Sequence, residues 1–190
     1  DVVDRTGPFS MSAWIMRDTG AGDMDIVSKR DFAPFTEGYA FVINAAGQPG
    51  MEWIDAGGAT QSVFATTSVP ENEWHQVAAI YDGANTSIYI DGVLDTSGAM
   101  NAPVATEQHF MIAAADYRSQ ARFFDGNIDE VRVWDVALTE GQLRYMMNQE
   151  LAKHTDTSAN GRIIDQDISK NEIASIPWSQ VAVYYPMNKY

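Results

Sequence analysis

The 190-residue sequence contains no cysteine, and this absence excludes several classes of protein. Disulfide scaffolds, thiolate metal centres and cysteine nucleophiles all need the missing residue. Basic residues are scarce as well: Lys and Arg number 12 against 26 Asp and Glu, which gives a formal net charge of −14 at pH 7. Because nucleic acids and anionic membranes repel such a surface, we predict that neither is a partner.

Long apolar runs are also missing from the sequence. No segment approaches the roughly 20 apolar residues of a membrane-spanning helix, and no basic segment leads into an apolar one at the start. The opening residues Asp1-Val2-Val3-Asp4 indicate a start inside a longer polypeptide. Hydrophobic residues still make up 45% of the chain, enough to fill the core of one sandwich or barrel.

Up to about residue 135, short runs of β-branched and aromatic residues are interrupted by Gly, Asp, Asn and Pro, the pattern of an all-β fold. Alternate residues from Phe9 to Ile15 are apolar and are predicted to face the core. Asp82-Gly83 and Asp91-Gly92 predict tight hairpin turns, because glycine accepts a positive φ. Nine strands, and hence a two-sheet antiparallel sandwich, are predicted over 9–17, 26–29, 39–44, 50–55, 61–66, 74–81, 86–90, 110–115 and 127–134.

One helix is predicted after these strands. Thr139-Glu140-Gly141-Gln142 has the form of a capping box, and the apolar residues Leu143, Met146, Met147 and Leu151 follow at helical spacing. The pattern predicts a helix of about four turns packed on the sandwich. Residues 152–175 are mostly polar, and residues 176–187 form a last apolar, aromatic-rich segment.

Four motifs in order resemble the landmarks of the LamG-like, concanavalin A-like jelly-roll family. They are Phe9-Ser10-Met11-Ser12-Ala13-Trp14-Ile15, Asn72-Glu73-Trp74-His75-Gln76-Val77-Ala78, Ile88-Tyr89-Ile90-Asp91-Gly92 and Phe124-Asp125-Gly126-Asn127-Ile128-Asp129-Glu130-Val131-Arg132-Val133-Trp134. The resemblance implies an all-β, two-sheet antiparallel jelly-roll sandwich over residues 1–151, with a concave face and rim loops. Residues 152–190 are then expected to be a linker and the first strand of a following repeat, as in tandem bacterial surface adhesins.

The residues required for catalysis are not found. Glycan hydrolases of the related fold carry three carboxylates spaced as Glu-x-Asp-x-x-Glu, whereas Ser28 stands where a third carboxylate would follow Asp23 and Asp25. Asp129 and Glu130 are neighbours on one strand and are predicted to point to opposite faces. We therefore predict that the protein is not an enzyme, with a glycan hydrolase kept as the least favoured alternative.

Calcium is a predicted cofactor, because acidic loops supply the oxygen ligands that it prefers. Resemblance to the calcium loops of pentraxins implies Asp31 and Asp116 as ligands, the alternative being two solvated loop aspartates. A second candidate is an EF-hand-like loop with Gly161 at position 6. Its candidate ligands, at positions 1, 3, 5, 7 and 12, are Asp156, Ser158, Asn160, Arg162 and Asp167. Residues around Asp18, Asp23 and Asp25 are interpreted as a plain acidic loop.

Aromatic side chains suggest a sugar site, because their faces stack on pyranose rings. Trp53 and Tyr117 are the predicted stacking residues, with Trp14 as a further candidate, whereas Trp74 and Trp134 are interpreted as structural. Arg118 and Arg122 are predicted to contact an acidic glycan from the same rim.

These observations predict a non-catalytic binding and adhesion module of a large secreted or cell-surface protein. Its expected ligand is a glycan or a protein, bound with the help of calcium, and its other partners are neighbouring repeats of the same polypeptide. The alternative is a structural spacer without a ligand of its own.

Overall fold

The computed structural model describes residues 3–20, 22–31, 35–115, 122–149, 151 and 176–187, with the backbone alone at Trp178. These residues form eleven strands and one α-helix, α1 (Glu140–Met146). The strands are β1 (Phe9–Arg17), β2 (Met24–Arg30), β3 (Gly38–Ile43), β4 (Pro49–Ile54), β5 (Thr60–Phe64), β6 (His75–Tyr81), β7 (Asn85–Ile90), β8 (Val93–Ala99), β9 (Phe110–Ile112), β10 (Gly126–Trp134) and β11 (Val181–Tyr185).

The strands form two antiparallel sheets. One sheet has the order β11-β10-β1-β6-β7-β8, and the other has the order β5-β4-β3-β2-β9. This arrangement confirms the predicted all-β jelly-roll sandwich. The prediction missed β8, although Asp91 and Gly92, with φ of 51° and 72°, form the two-residue turn into it that the Asp-Gly pair indicated.

The main core lies between the two sheets. It buries the alternate residues of β1, among them Phe9 and Ile15, together with Val131 and Val133 of β10. Alternation along a strand explains this, because every second side chain points to the same face. The predicted core face of β1 is therefore confirmed.

A second apolar cluster lies on the outer face of the six-stranded sheet, beneath α1. Leu143 and Met146 of α1 pack there against Ala78, Ile80 and Trp134. The helix begins at the predicted capping box, in which Gln142 N donates to Thr139 Oγ1 at 3.2 Å. Because an isolated helix of seven residues is marginal in water, this packing stabilises it.

The helix is shorter than the four turns predicted from the apolar spacing. Gln149 N donates to Met146 O, three residues earlier, at 3.0 Å, and this tighter turn follows the end of α1. Leu151 is still buried in the second cluster, although it lies beyond the end of α1. The apolar spacing therefore indicated which residues are buried, but not where the helix ends.

The C-terminal segment adds an edge strand to the six-stranded sheet. Val181–Tyr185 pairs antiparallel with β10, with Val183 opposite Val133 and Tyr185 opposite Val131. The backbone hydrogen bonds that the edge of β10 would otherwise expose are thereby partly satisfied. That this segment is the first strand of a following repeat stays a prediction. None of the described helices is long and apolar enough to cross a membrane.

Candidate functional site

A pocket of about 370 Å³ opens on the outer face of the six-stranded sheet, beside the end of α1. Its walls are formed by two tryptophans, by three charged residues of β10 and, on one side, by the residues that follow α1. Its lining residues are Trp14, Trp74, Asp129, Glu130, Arg132, Met147, Asn148 and Gln149. Aromatic faces combined with a few polar groups in a concave site are typical of sugar-binding pockets.

A β-bulge in β10 shapes this pocket. Ser12 pairs with Arg132 and Trp14 with Asp129, so β10 carries one residue more than β1 over the same stretch. Glu130 lies within the bulge with a φ of 50°, a left-handed conformation that is uncommon for a non-glycine residue. As a result both Asp129 and Glu130 line the pocket, and the prediction that they point to opposite faces is wrong.

Arg132 holds the wall of the pocket together. Its Nη1 donates to Met146 O at 2.7 Å, and its Nη2 donates to Glu130 Oε2 at 2.6 Å and to Gln149 O. A guanidinium at the C-terminal end of a helix satisfies carbonyls that have no partner within the helix. Arg132 therefore fixes the end of α1 against β10.

Tyr184 of β11 supports Glu130 from the other side. Its hydroxyl donates to Glu130 Oε2 at 2.9 Å and accepts from Leu151 N at 3.0 Å. Burial raises the pKa of Tyr184 well above its usual value, and the hydrogen bond to Glu130 raises it further. The phenol therefore stays protonated, so β11 helps to hold the Glu130 carboxylate in place.

The two tryptophans of the pocket differ in what they offer a ligand. Trp14 Nε1 donates to Met147 O at 2.8 Å, so its polar edge is already used. Trp74 lies just before β6 and leaves 45% of its surface exposed. Trp74 is therefore not a core residue, whereas the interpretation of Trp134 as structural is confirmed by its complete burial.

Trp53 does not face solvent, and its prediction as a sugar-stacking residue is wrong. Its exposed fraction is 0%, and it packs between the sheets against Phe9 and Tyr81, with ring centroids 5.8 and 5.1 Å away. Its Nε1 donates to Asn101 O at 2.7 Å. The face of β4 that carries Trp53 is the inter-sheet face, and an alternating strand pattern does not say which face that is.

Arg122 belongs to a charged cluster on the outer face of the five-stranded sheet. It lies 3.0 Å from Asp25, 2.9 Å from Glu52 and 3.4 Å from Asp23, and Arg30 joins both Asp25 and Glu52. Burial raises the pKa of Asp25 to about 6, although Arg30 and Arg122 act to lower it. The interpretation of Asp25 as part of a plain acidic loop is therefore wrong, because its side chain is fully buried.

Of the predicted calcium ligands, the structure describes only Asp31. Asp31 accepts hydrogen bonds from Thr36 N at 2.9 Å and Glu37 N at 3.0 Å, so its carboxylate stabilises its own loop. Burial acts to raise the pKa of Asp31, but the hydrogen bonds from Thr36 and Glu37 outweigh it and lower that pKa below its usual value. In the part of the chain that is described, no three acidic or histidine side chains form a metal-binding group. Asp116, Tyr117, Arg118, Asp156, Ser158, Asn160, Arg162 and Asp167 lie outside the described residues.

Sequence reasoning missed most of the pocket. Asn72, two residues before Trp74, has a φ of 60° and lies in a turn before β6. The polar residues Asn72 and Glu73 before Trp74 were the one sequence signal that its side chain would be exposed. The bulge at Glu130 and the contact of Arg132 with α1 had no signal in the sequence, because they depend on the pairing of segments far apart in the chain.

Comparison with known proteins places this fold in a family. A family model described as the concanavalin A-like lectin/glucanases superfamily matches residues 1–144. The chain belongs to this superfamily, and the resemblance deduced from the sequence motifs is confirmed. A search of curated proteins found no match.

Several solved structures share the fold at low sequence identity. A candidate carbohydrate binding protein from Bacteroides ovatus is 22% identical with a TM-score of 0.68, covering 98% of this chain and 47% of that one. The CBM40 of the Ruminococcus gnavus IT-sialidase, bound to α2,3-sialyllactose, is 16% identical with a TM-score of 0.64 (74% and 82% covered). Domain 4 of the extracellular arabinanase AbnA from Geobacillus stearothermophilus, in complex with arabinotriose, is 21% identical with a TM-score of 0.59 (76% and 68% covered). The chain thus spans about half the length of the Bacteroides protein.

Proposed function

We propose that the protein is a non-catalytic glycan-binding module and that the pocket between Trp14, Trp74 and β10 is its binding site. The observation that carries this proposal is the exposed face of Trp74 beside fixed carboxylates and amides in one concavity. An exposed indole offers a flat apolar face that can stack on a sugar ring. Polar groups around it would orient the sugar hydroxyls.

The similar structures support a binding role over a spacer role. Two of them are described with a bound sugar, and a third, on the same fold, as a candidate carbohydrate binding protein. A spacer would need neither an open pocket nor an exposed tryptophan within it. Action outside the cell or at its surface, as part of a larger adhesive or glycan-handling protein, belongs to the same proposal.

The carboxylates of the pocket favour binding over hydrolysis. Glycosidases need one carboxyl group to give a proton and a second to act as nucleophile or base. Glu130 is held by Tyr184 and Arg132, and Asp129 Oδ1 accepts from Glu130 N at 2.8 Å. Glu130 is therefore held by two protein groups and one oxygen of Asp129 supports the bulge, so we expect no reducing sugar to be released from β-glucans, laminarins, agars or carrageenans.

A glycan array followed by calorimetry on the best ligand tests the proposal. Trp74→Ala should weaken binding at least about tenfold, because stacking on an exposed indole contributes on the order of 1.4 kcal/mol. Phe123→Ala is the matched control, because Phe123 is 57% exposed and lies outside the pocket. Binding that survives Trp74→Ala but is lost in Phe123→Ala would contradict the site, and the absence of any glycan ligand would favour the spacer.

A further inference from the structure

We infer that the pocket takes an uncharged, hydroxyl-rich sugar and discriminates against sugar acids, an inference that rests on the proposed function. The reason is the state of the charged groups in the pocket: Arg132, the one cation among the described lining residues, is buried and donates to protein groups, while the Asp129 carboxylate retains acceptor capacity.

The guanidinium of Arg132 is not presented to a ligand. The residue is 3% exposed, and it donates to Met146 O, Gln149 O and Glu130 Oε2. The guanidinium carbon also lies 5.7 Å from the centroid of the Tyr184 ring. Recognition of a sugar carboxylate by arginine normally uses a bidentate pair of N–H groups. Arg132 Nε has no hydrogen-bond partner among the described residues but is buried, and a bidentate pair that used Nη2 would have to break its bonds to Glu130 Oε2 and Gln149 O.

One carboxylate oxygen of the pocket, in contrast, is available to a ligand. Asp129 uses Oδ1 to accept from Glu130 N, and among the described residues no partner is found for its Oδ2. The exposed side chains of Asn148 and Gln149 add amide oxygens at the opposite wall. Carboxylate and amide oxygens accept hydrogen bonds from hydroxyl groups, so the pocket is complementary to a ligand that donates them.

The field at the pocket also disfavours anions. Among the described residues, its charged lining is two carboxylates and one guanidinium, and Glu73, whose side chain is 72% exposed, adjoins Trp74 in the sequence. The whole chain carries a formal charge of −14. Like charges brought together at a binding site lower affinity and slow association. The CBM40 bound to sialyllactose shares the fold, but the charges of this pocket indicate a different ligand class.

Calorimetry with matched neutral and acidic sugars tests the inference. Oligosaccharides of galactose are compared with those of galacturonate, and lactose with α2,3-sialyllactose, at low and high salt. We expect the neutral member of each pair to bind at least about tenfold more tightly at low salt, with a smaller ratio at high salt. Acidic sugars bound as tightly as neutral ones would overturn the inference and leave the proposed function standing, whereas no binding of any sugar would overturn both.

A charge-neutralising variant tests the cause of the discrimination. Asp129→Asn keeps an oxygen that can accept from Glu130 N but removes one negative charge. The ratio of the affinity for the neutral sugar to that for the acidic sugar should therefore fall by about two- to fivefold. Glu107→Gln makes the same charge change at an exposed position outside the pocket and should leave the ratio unchanged. A ratio that is unaffected by Asp129→Asn, or altered equally by both variants, would overturn the inference.

Discussion

Replacing Arg132 with methionine should lower the free energy of unfolding by about 3 to 5 kcal/mol. Methionine keeps an unbranched apolar stem but removes the guanidinium, so the Met146 and Gln149 carbonyls lose a donor and Glu130 loses its cationic partner. Removing one member of a buried ion pair typically costs about this much, because the remaining charge is left without compensation. The loss is a large part of the roughly 5 to 15 kcal/mol by which domains are stable.

Urea denaturation followed by tryptophan fluorescence measures this loss. Arg144→Met is the control: Arg144 is 60% exposed and lies 3.4 Å from Glu140 on α1, a surface pair worth at most about 0.5 kcal/mol. Adding Glu130→Gln to Arg132→Met should restore part of the stability, because position 130 then carries no negative charge without a cationic partner. A loss below about 1 kcal/mol in Arg132→Met, with an unchanged denaturant slope, would refute the reasoning.

Three further predictions concern the helix, the charged cluster and calcium. Leu143→Ala, beneath α1, should cost about 2 to 5 kcal/mol by urea denaturation, and an unchanged midpoint would contradict the packing of the helix. Folding raises the pKa of Asp25 from 3.8 to about 6, so between pH 6 and 4 the folded state binds the proton more readily than the unfolded state does. The free energy of unfolding should therefore rise by about 1.4 kcal/mol for each pH unit by which the pH falls over this range. Asp25→Asn should lack this rise, and an equal pH dependence in the two proteins would contradict the prediction. Calcium at a hundredfold excess over Kd should add about 2.7 kcal/mol in thermal unfolding. Loss of that shift in Asp116→Ala or in Asp156→Ala tells the two predicted loops apart, and identical melting curves in calcium and chelator contradict both.

Local sequence signals predicted much of the fold. The β1 alternation, the two Asp-Gly turns and the capping box at Thr139 each depend on residues a few positions apart, and each is present in the structure. Strand β8 was missed because its central residues, Asp95 to Gly98, are polar or small and give no apolar alternation. It forms because the turn at Asp91 and Gly92 brings it against β7.

The candidate site was harder to predict because its geometry comes from contacts between distant segments. Trp53 and Trp74 are equally aromatic in the sequence, yet one lies between the sheets and the other lies at a turn. The position of the Glu130 carboxylate depends on the bulge opposite Trp14 and on Tyr184, which lies 54 residues further along the chain. A pattern with a period of two residues contains no information about either contact.

The most direct test of the central claim is an NMR titration of the tryptophan indole N–H signals with the best sugar from the array. If the sugar stacks on Trp74, the indole signal of Trp74 should shift most, with a smaller shift at Trp14, whose Nε1 is held by Met147 O. The buried Trp53 and Trp134 should not shift, since neither reaches the pocket surface. Saturable binding that leaves the Trp74 and Trp14 signals unchanged would show that the sugar binds elsewhere and would contradict the account.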